Sequence, residues 1–371
     1  MKKNLLLFAV IFTVTLTNAQ LTADATFSDE LFTYTVTTTD EPGSPNTVSL
    51  TGSVDGVTLP DALVIPATVT EGGFDYDITL IANQAFKDSS ITSLTVEGET
   101  VIGNQSFWGA LNLVSVDAPL STVIFNQAFR SCESLTDVNI PKVISVGVQS
   151  FRACLALKSI DLPSATTLGN GVGAGLTFWQ STALETINMP VMDSISVGAF
   201  NGCSSLKSIR FPASLTKLDE TNFNMFKGCT SLKEVIIEYT TFIPLTKDTS
   251  HANVSIFNDV TANATLAITG AENIATYQSS DVWKDFSGFT LGVNSIQKIS
   301  LSSYPNPVVD KLYFSANDVF SAEVYNILGA KVSSQKVSNG VDLSQLNSGI
   351  YFVKAKNVEG LDFKTIKVIK Q

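Results

Sequence analysis

The sequence has few of the residues on which most enzyme active sites depend. It contains one histidine, His251, in 371 residues, and its four cysteines include no Cys-x-x-Cys pair. A two-histidine zinc site, a Cys-His pair or a Ser-His-Asp triad would each need that histidine, which lies in a polar stretch without a nucleophile motif. We therefore assign no catalytic residue, no metal site and no cofactor. A glycosidase needs only two carboxylates, and no particular pair stands out among 34 acidic residues.

Positive charge is also scarce. The chain has 23 Lys and Arg against 34 Asp and Glu, which gives a formal net charge of −11. Proteins that bind nucleic acid neutralise phosphates with basic residues, so this balance excludes nucleic acid as the partner. Because 44% of the residues are hydrophobic and only 15% are charged, the chain is not disordered and has apolar material for two or more cores.

The N-terminal segment, residues 1–19, has the features of a secretory signal peptide. Lys2 and Lys3 precede an apolar run from Leu5 to Leu16, and Ala19 provides the small residue at the cut. The run is shorter than the ~20 residues that a membrane span requires, and no later segment is long and apolar enough. We therefore expect an exported mature chain without a transmembrane segment.

The middle of the chain, residues 78–238, is one unit repeated about seven times. A Phe recurs every 21 to 27 residues, and in six of the seven units a Leu follows it by six positions and opens a short alternating segment. Alternation predicts a strand, and no single unit can bury its apolar side alone, so the units must stack into a solenoid with parallel strands along one face. The seven residues are Phe86, Phe107, Phe129, Phe151, Phe178, Phe200 and Phe226.

The fifth unit is longer than the others because of a Gly-rich insertion at 169–175, which we expect to bulge out as a loop. The first and last repeats of a solenoid expose unpaired backbone groups and apolar side chains, so both ends need caps. Strand patterns at 32–36, 48–52 and 63–66 predict a β cap within residues 20–77. An irregular segment and a second cap occupy 239–290, with a strand over 264–268 and a short helix over 272–286.

The repeated motif has Ala or a similar small residue before the Phe, Cys three positions after it, and Leu-x-x-Ile-x-Leu-Pro from the sixth position onward. This motif resembles that of the BspA-like leucine-rich repeat family. The resemblance implies a mainly β protein built on a leucine-rich repeat solenoid, and a non-catalytic role in binding or adhesion to an unidentified glycan or protein surface. The alternatives are a structural or matrix spacer without a specific ligand and, third, a hydrolase.

The four cysteines, Cys132, Cys154, Cys203 and Cys229, all stand three residues after a Phe. Neighbouring rungs about 4.8 Å apart would bring Cys132 and Cys154, or Cys203 and Cys229, within the Cα range of a disulfide. Buried free thiols that pack as small hydrophobes are the alternative.

Residues 301–371 form a separate unit after a linker at 291–300. Short alternating segments between Gly, Asn and Pro turns predict a small immunoglobulin-like β-sandwich. Its charge differs from that of the rest, since residues 297–371 carry 9 Lys and 6 acidic residues whereas residues 20–296 carry 12 basic and 28 acidic residues. We expect its inner faces to hold Leu312, Phe314, Val324, Ile327, Ile350 and Phe352.

This unit resembles the type A C-terminal sorting domain of proteins exported by the type IX secretion system. The residues that carry the resemblance are Tyr304, Pro305, Asn306, Pro307, Asp310, Gly329, Gly349, Tyr351 and Lys370. The resemblance implies a cell-surface or secreted protein outside the outer membrane of a Gram-negative bacterium, with the secretion machinery and its sortase as partners. In that family the sortase generally removes the domain and can attach the cargo to lipopolysaccharide.

Two sets of side chains are candidate ligand contacts. The position directly after each Phe is expected to face water, and it holds Trp108, Arg130, Arg152 and Trp179 in consecutive central units. Exposed Trp and Arg are enriched at binding hot spots, and here they suit an anionic or carbohydrate surface. On the strand face, Asp117, Asn139, Asp161 and Asn188 suit hydrogen bonds to sugars or to an extended peptide. For both sets the alternative is a structural role on a merely soluble surface.

Overall fold

The structure is a computed structural model. It describes residues 20–39, 45–169, 175–218, 225–238, 242, 245, 256–257, 260–269, 274–291, 303–304, 306–314, 321–337, 340–356 and 362–371. The predicted signal peptide, His251, most of the Gly-rich insertion, residues 292–300 of the predicted linker and Pro305 lie outside these described residues.

The N-terminal residues form a β layer that continues directly into the solenoid. Strands β1 to β3 are antiparallel neighbours, β3 pairs in parallel with β6, and β5 pairs antiparallel with β6. Strand β4, predicted as part of the cap, instead pairs in parallel with the first strand of the repeats. The bounds are β1 Thr26–Ser28, β2 Phe32–Thr38, β3 Thr47–Ser53, β4 Ala62–Ile65, β5 Thr68–Glu71 and β6 Phe74–Ile81.

Each repeat contributes one parallel strand of three or four residues to one face, as the Leu-headed segments predict. The strands pair in three consecutive groups, which we call together the first ladder. The alternation buries the apolar residues and leaves the polar ones at the surface, as in β9, where Val116 is buried and Asp117 is exposed. The solenoid prediction is therefore confirmed. The strands are β7 Ser93–Val96, β9 Ser115–Asp117, β11 Asp137–Asn139, β13 Ser159–Asp161, β15 Thr186–Asn188, β17 Ser208–Phe211 and β19 Glu234–Ile237.

A second parallel ladder, absent from the sequence-based prediction, runs along another face. Its strands have two residues each, and they extend the sheet of β1, β2, β3 and β6 from rung to rung. The strands are β8 Val101–Ile102, β10 Val123–Ile124, β12 Ser145–Val146, β14 Thr167–Leu168, β16 Ser194–Ile195 and β18 Lys217–Leu218.

The core of the solenoid is a column of stacked aromatic rings. From Phe86 to Phe226 the centroids of successive rings lie 5.4 to 5.9 Å apart, with interplanar angles of 2 to 16°. Phe257 adds an eighth ring 5.2 Å from Phe226, which the repeat count did not predict. Offset stacking of this kind contributes beyond the burial of apolar area.

The C-terminal end of the solenoid prolongs the first ladder. Strand β20 (Thr265–Ile268) pairs in parallel with β19, and β21 (Gly288–Leu291) pairs in parallel with β20. The helix predicted over 272–286 is shorter in the structure, where α1 is Ile274–Ser279. One 3-10 turn precedes it at Thr261–Asn263, and another follows it at Trp283–Asp285. Val282, three residues after the end of α1, has a φ of 70°, which is outside the range of a right-handed helix. Across the described ranges, no helix has the length and apolar character that a membrane span needs.

The C-terminal unit consists of two antiparallel sheets, one of β22, β23 and β26 and one of β25, β24, β27 and β28. Val308, Leu312, Val324, Val353 and Val368 belong to its own buried cluster, separate from that of the solenoid. The strands are β22 Ser303–Tyr304, β23 Lys311–Phe314, β24 Ser321–Asn326, β25 Lys331–Lys336, β26 Val341–Asp342, β27 Gly349–Lys356 and β28 Asp362–Lys370.

Three residues predicted for the inner faces of this unit lie outside. Ile327 is 68% exposed because it belongs to the turn that follows β24, while Ile350 and Phe352 are 41% and 38% exposed. On β27 the inward positions are those of Val353 and Ala355, so Ile350 and Phe352 point the other way. The prediction was wrong for these three, whereas Leu312 and Val324 are fully buried and Phe314 packs partly buried against the cluster.

Candidate functional site

Each turn of the solenoid bends around its buried Phe and presents the next residue at the surface. Two positions after the Phe the backbone is left-handed, with φ of 59° at Ser131 and 56° at Ala153. The N–H of Ser131 donates to the carbonyl of Arg152 at 2.8 Å, and that of Ala153 donates to the carbonyl of Trp179 at 2.8 Å. These bonds lock successive turns in register, so the residues after each Phe form a continuous surface row.

In this row, cations lie over the two tryptophan rings. Lys87 Nζ and Arg130 Cζ each lie 4.6 Å from the ring centroid of Trp108, and Arg152 Cζ lies 3.9 Å from that of Trp179. Lys87 is exposed and the other four side chains are half-buried. Cation–π contacts at such sites contribute ~0.5–1 kcal/mol each. We call Lys87, Trp108, Arg130, Arg152 and Trp179 the basic-aromatic row.

A glutamine ladder, which the sequence analysis missed, lies beside the row. Gln84 donates to Gln105 at 2.6 Å and Gln105 donates to Gln127 at 2.7 Å. At the next rung Gln149 accepts a hydrogen bond of 3.1 Å from Arg152 Nη1 and so helps to orient that guanidinium. The signal is readable in the sequence, because each of these residues stands two positions before the repeated Phe.

Arg130 and Arg152 occupy adjacent rungs. Burial and, secondly, the positive charge of Arg130 lower the pKa of Arg152 from its usual value. Arg130 Nε is buried without a hydrogen-bond partner, and in the part of the chain that the structure describes neither guanidinium forms an ion pair. Two like charges therefore lie on adjacent rungs, and within the described residues no carboxylate pairs with either of them.

The strand-face candidates form two amide–carboxylate pairs. Asn139 donates to Asp117 at 2.7 Å, and Asn188 donates to Asp161 at 2.7 Å. These residues stand ten positions after their Phe, so they belong to a different station of each turn from the basic-aromatic row. Over the described ranges, no group of three or more His, Cys, Asp and Glu side chains is placed to hold a metal ion.

The four cysteines are buried free thiols in the structure. Each Sγ donates to the carbonyl of the Phe one rung earlier, for example Cys132 to Phe107 at 3.3 Å and Cys229 to Phe200 at 3.1 Å. Ser181, at the same station, makes the equivalent bond to Phe151 at 2.7 Å. Burial raises the pKa of the Cys132 thiol to about 12.

We expect all four thiols to resist an aromatic disulfide reagent at pH 8 in the native protein, and all four to react after unfolding without a reductant. Because burial raises the pKa of the Cys132, Cys154 and Cys203 thiols, the folded state holds these protons when the unfolded state releases them, so stability should fall as the pH rises above about 8.5. The measurement is a thiol count before and after denaturation. Fewer than four reactive thiols after unfolding would indicate disulfides.

In the C-terminal unit, Asn306 joins the first sorting-motif segment to the last strand. Its side-chain amide donates to the carbonyl of Lys367 at 3.0 Å, and its Oδ1 accepts from the N–H of Ile369 at 2.9 Å. Val308 continues the pairing, since its N–H donates to Ile369 at 2.8 Å and its carbonyl accepts from Gln371 at 2.9 Å. We call these contacts the C-terminal clasp.

Other residues of the sorting motif also have structural positions. Gly329 closes the turn after β24 with a φ of 80°, and Tyr351 Oη donates to the carbonyl of Asn347 at 2.9 Å. Lys370 is 8% exposed and its Nζ donates to the carbonyl of Gln371 at 2.5 Å. Tyr304 lies in β22, and Pro307 follows Asn306 through a cis peptide. The backbone carbonyl of Asp310 accepts from the N–H of Leu343, and Gly349 begins β27.

These repeated turns match a known family. The family described as BspA type leucine rich repeat region matches in six copies, over residues 68–175 and 174–275. The chain belongs to this family. The BspA-type repeats account for the two ladders, the ring column and the surface row, because each is one station of the repeated unit.

A solved structure shows the same fold. A leucine-rich cell surface protein from Faecalibacterium prausnitzii superposes with a TM-score of 0.51 at 18% identity, over 72% of each chain. A leucine-rich repeat protein from T. pallidum has a TM-score of 0.42 at 20% identity, over 56% of this chain and 90% of its own. No curated protein matches this BspA-type chain.

The C-terminal unit matches the family described as secretion system C-terminal sorting domain, over residues 302–371. A domain of this kind implies handling by the type IX secretion machinery. The protein is therefore a BspA-type leucine-rich repeat protein that carries an export signal at its C-terminal end.

Proposed function

We propose that this protein is a binding or adhesion protein at the surface of a Gram-negative bacterium or in its medium. In this proposal the signal peptide delivers the chain to the periplasm, and the sorting domain delivers it across the outer membrane. The sortase then removes the sorting domain, and the solenoid remains as the working part, released or attached to lipopolysaccharide. Stacked repeats favour this role because they form extended surfaces that one partner can contact over several rungs.

The observation that carries the proposal is the basic-aromatic row. Residues 20–296 have 12 basic against 28 acidic residues, yet three cations and two tryptophans occupy one line on five successive rungs. Lysine is depleted at interfaces, whereas Trp and Arg are enriched at hot spots. The amide–carboxylate pairs of Asp117 with Asn139 and of Asp161 with Asn188 add a second polar surface to the proposed site.

The role of the tryptophans is tested by the double variant Trp108→Ala and Trp179→Ala. We expect it to lose attachment to the natural target surface while it stays folded, with an unfolding free energy lower by about 2–4 kcal/mol, since three cation–π contacts of ~0.5–1 kcal/mol each and some half-buried ring area are lost. The measurements are adhesion of the exported protein and chemical denaturation.

The matched control is Leu111→Ala with Val114→Ala, which removes apolar side chains that are 51% and 43% exposed on a neighbouring turn segment. This control should leave attachment unchanged. Unchanged attachment of the tryptophan variant, together with a large loss of stability, would mean that Trp108 and Trp179 are packing residues. Concentration-dependent oligomers without a saturable partner would instead indicate a spacer protein.

A further inference from the structure

The two guanidinium groups at the centre of the basic-aromatic row are arranged to receive an anion. Arg130 and Arg152 stand on adjacent rungs whose rings, Phe129 and Phe151, are 5.5 Å apart. Within the described residues no carboxylate pairs with either group, and Arg130 Nε lacks a hydrogen-bond partner. Repulsion between two such charges is relieved when an anion binds between them.

Stacking holds these guanidinium groups without using all their donors. Arg130 lies over the ring of Trp108 and Arg152 over that of Trp179, so each guanidinium is held by a cation–π contact. The N–H groups of a guanidinium lie in its plane and remain able to bind a carboxylate or sulfate with two parallel bonds. The hydrogen bond from Arg152 to Gln149 uses one of them and sets the direction of the others.

The spacing of the row indicates which polymer carries the anion. The Phe residues that directly precede the members of the row have ring centroids 5.4 to 5.6 Å apart from Phe86 to Phe178, which sets the rung spacing. This is about the length of one sugar residue in an extended polysaccharide. Side chains on one face of an extended peptide recur every ~6.4–6.8 Å, so an acidic peptide would lose register over these rungs.

We propose that Arg130 and Arg152 form the anion-binding centre of the row and that the ligand is an acidic polysaccharide with carboxylate or sulfate groups. Lys87 and the edges of Trp108 and Trp179 extend the contact to neighbouring sugars. This inference rests on the proposed binding function and adds the chemistry of the ligand.

The test uses the chain from residue 20 to residue 371 with four probes: polygalacturonate, heparin, neutral dextran and polyglutamate. We expect binding to polygalacturonate or heparin and none to dextran or polyglutamate. Polygalacturonate carries carboxylates only, whereas heparin carries carboxylates and sulfates, so binding to heparin alone would indicate that sulfate is required. The double variant Arg130→Gln and Arg152→Gln should bind the acidic glycan about tenfold or more weakly, because it loses charge-assisted hydrogen bonds.

The control Lys158→Gln with Lys233→Gln removes the same charge from two exposed positions outside the row and should change affinity less than about twofold. Arg130→Lys with Arg152→Lys keeps the charge but loses the planar fork, so intermediate binding is expected. If the Gln double variant does not fold, the binding of this Lys double variant to the acidic glycan is the test of the inference. The inference would be overturned if the Lys158→Gln and Lys233→Gln control lost as much affinity for the acidic glycan as the Arg variant. A preference of the protein for dextran or polyglutamate would also overturn it. If the protein attaches to its natural surface and neither acidic glycan competes, the ligand assignment fails while the proposed binding function stands.

Discussion

Phe151→Ala should lower the unfolding free energy by about 3–5 kcal/mol, because it removes a fully buried ring from the middle of the stacked column. The ring of Phe151 lies 5.5 Å from that of Phe129 and 5.6 Å from that of Phe178, so its loss breaks contacts on both sides. In a solenoid each repeat contacts only its neighbours, so the two halves should lose their coupling and unfold in separate transitions. Chemical denaturation followed by circular dichroism measures both effects.

Leu155→Ala is the matched control for this variant. Leu155 stands four residues later in the same repeat and is 41% exposed, so the substitution should cost about 1–2 kcal/mol, clearly less than Phe151→Ala. Coincident unfolding curves for Phe151→Ala and the parent protein would mean that the assignment of Phe151 to the ring column is wrong.

The Leu-headed segments predicted the first ladder because apolar and polar residues alternate in them. The second ladder has strands of two residues, which are too short for an alternation pattern. Its signal is an apolar residue five positions before the Phe, as in Ile102 with Phe107 and Ile124 with Phe129. Phe257 escaped prediction because it comes 31 residues after Phe226 and has no Leu six positions later.

The position of the basic-aromatic row could be predicted from the sequence. Its cation–π contacts and hydrogen bonds could not, because they join side chains that lie far apart in sequence. The rule that one surface residue follows each Phe placed Trp108 and Arg130 on adjacent rungs. The orientation of the Arg152 guanidinium by Gln149 could not be predicted, because it depends on the left-handed backbone two positions before each Phe. In the C-terminal unit, residues 350–353 are all apolar or aromatic, so alternation alone could not decide which side faces inward. Cross-strand pairing determines it and places Phe352 outside.

Deletion of residues 301–371 should leave folded repeat protein in the periplasm and remove it from the cell surface and medium. The solenoid has its own buried core, separate from that of the sorting domain, so the deletion takes no side chain from that core. Cell fractionation with immunodetection and limited proteolysis of the periplasmic fraction would measure location and folding. Repeat protein on the surface after this deletion would contradict the assigned role of the domain.

A finer variant tests whether the folded sorting domain, rather than its composition, is the signal. Asn306→Asp removes the donor to Lys367 and places a carboxylate against a carbonyl, so it should destabilise this small domain by about 1–3 kcal/mol and reduce export. Gln345→Glu makes the same chemical change at an exposed position outside the C-terminal clasp and should leave export unchanged.

The exported form should end between Leu291 and Ser303, because Gly288–Leu291 is held in the solenoid by its pairing with β20, and a cut before Leu291 would remove that strand. Mass spectrometry of surface-exposed protein measures this boundary. The Asn306→Asp variant should accumulate with its sorting domain still attached, because cleavage follows export. Surface molecules that mostly retain residues 304–371 would contradict the processing step, and normal export of Asn306→Asp would mean that the clasp is not required for recognition.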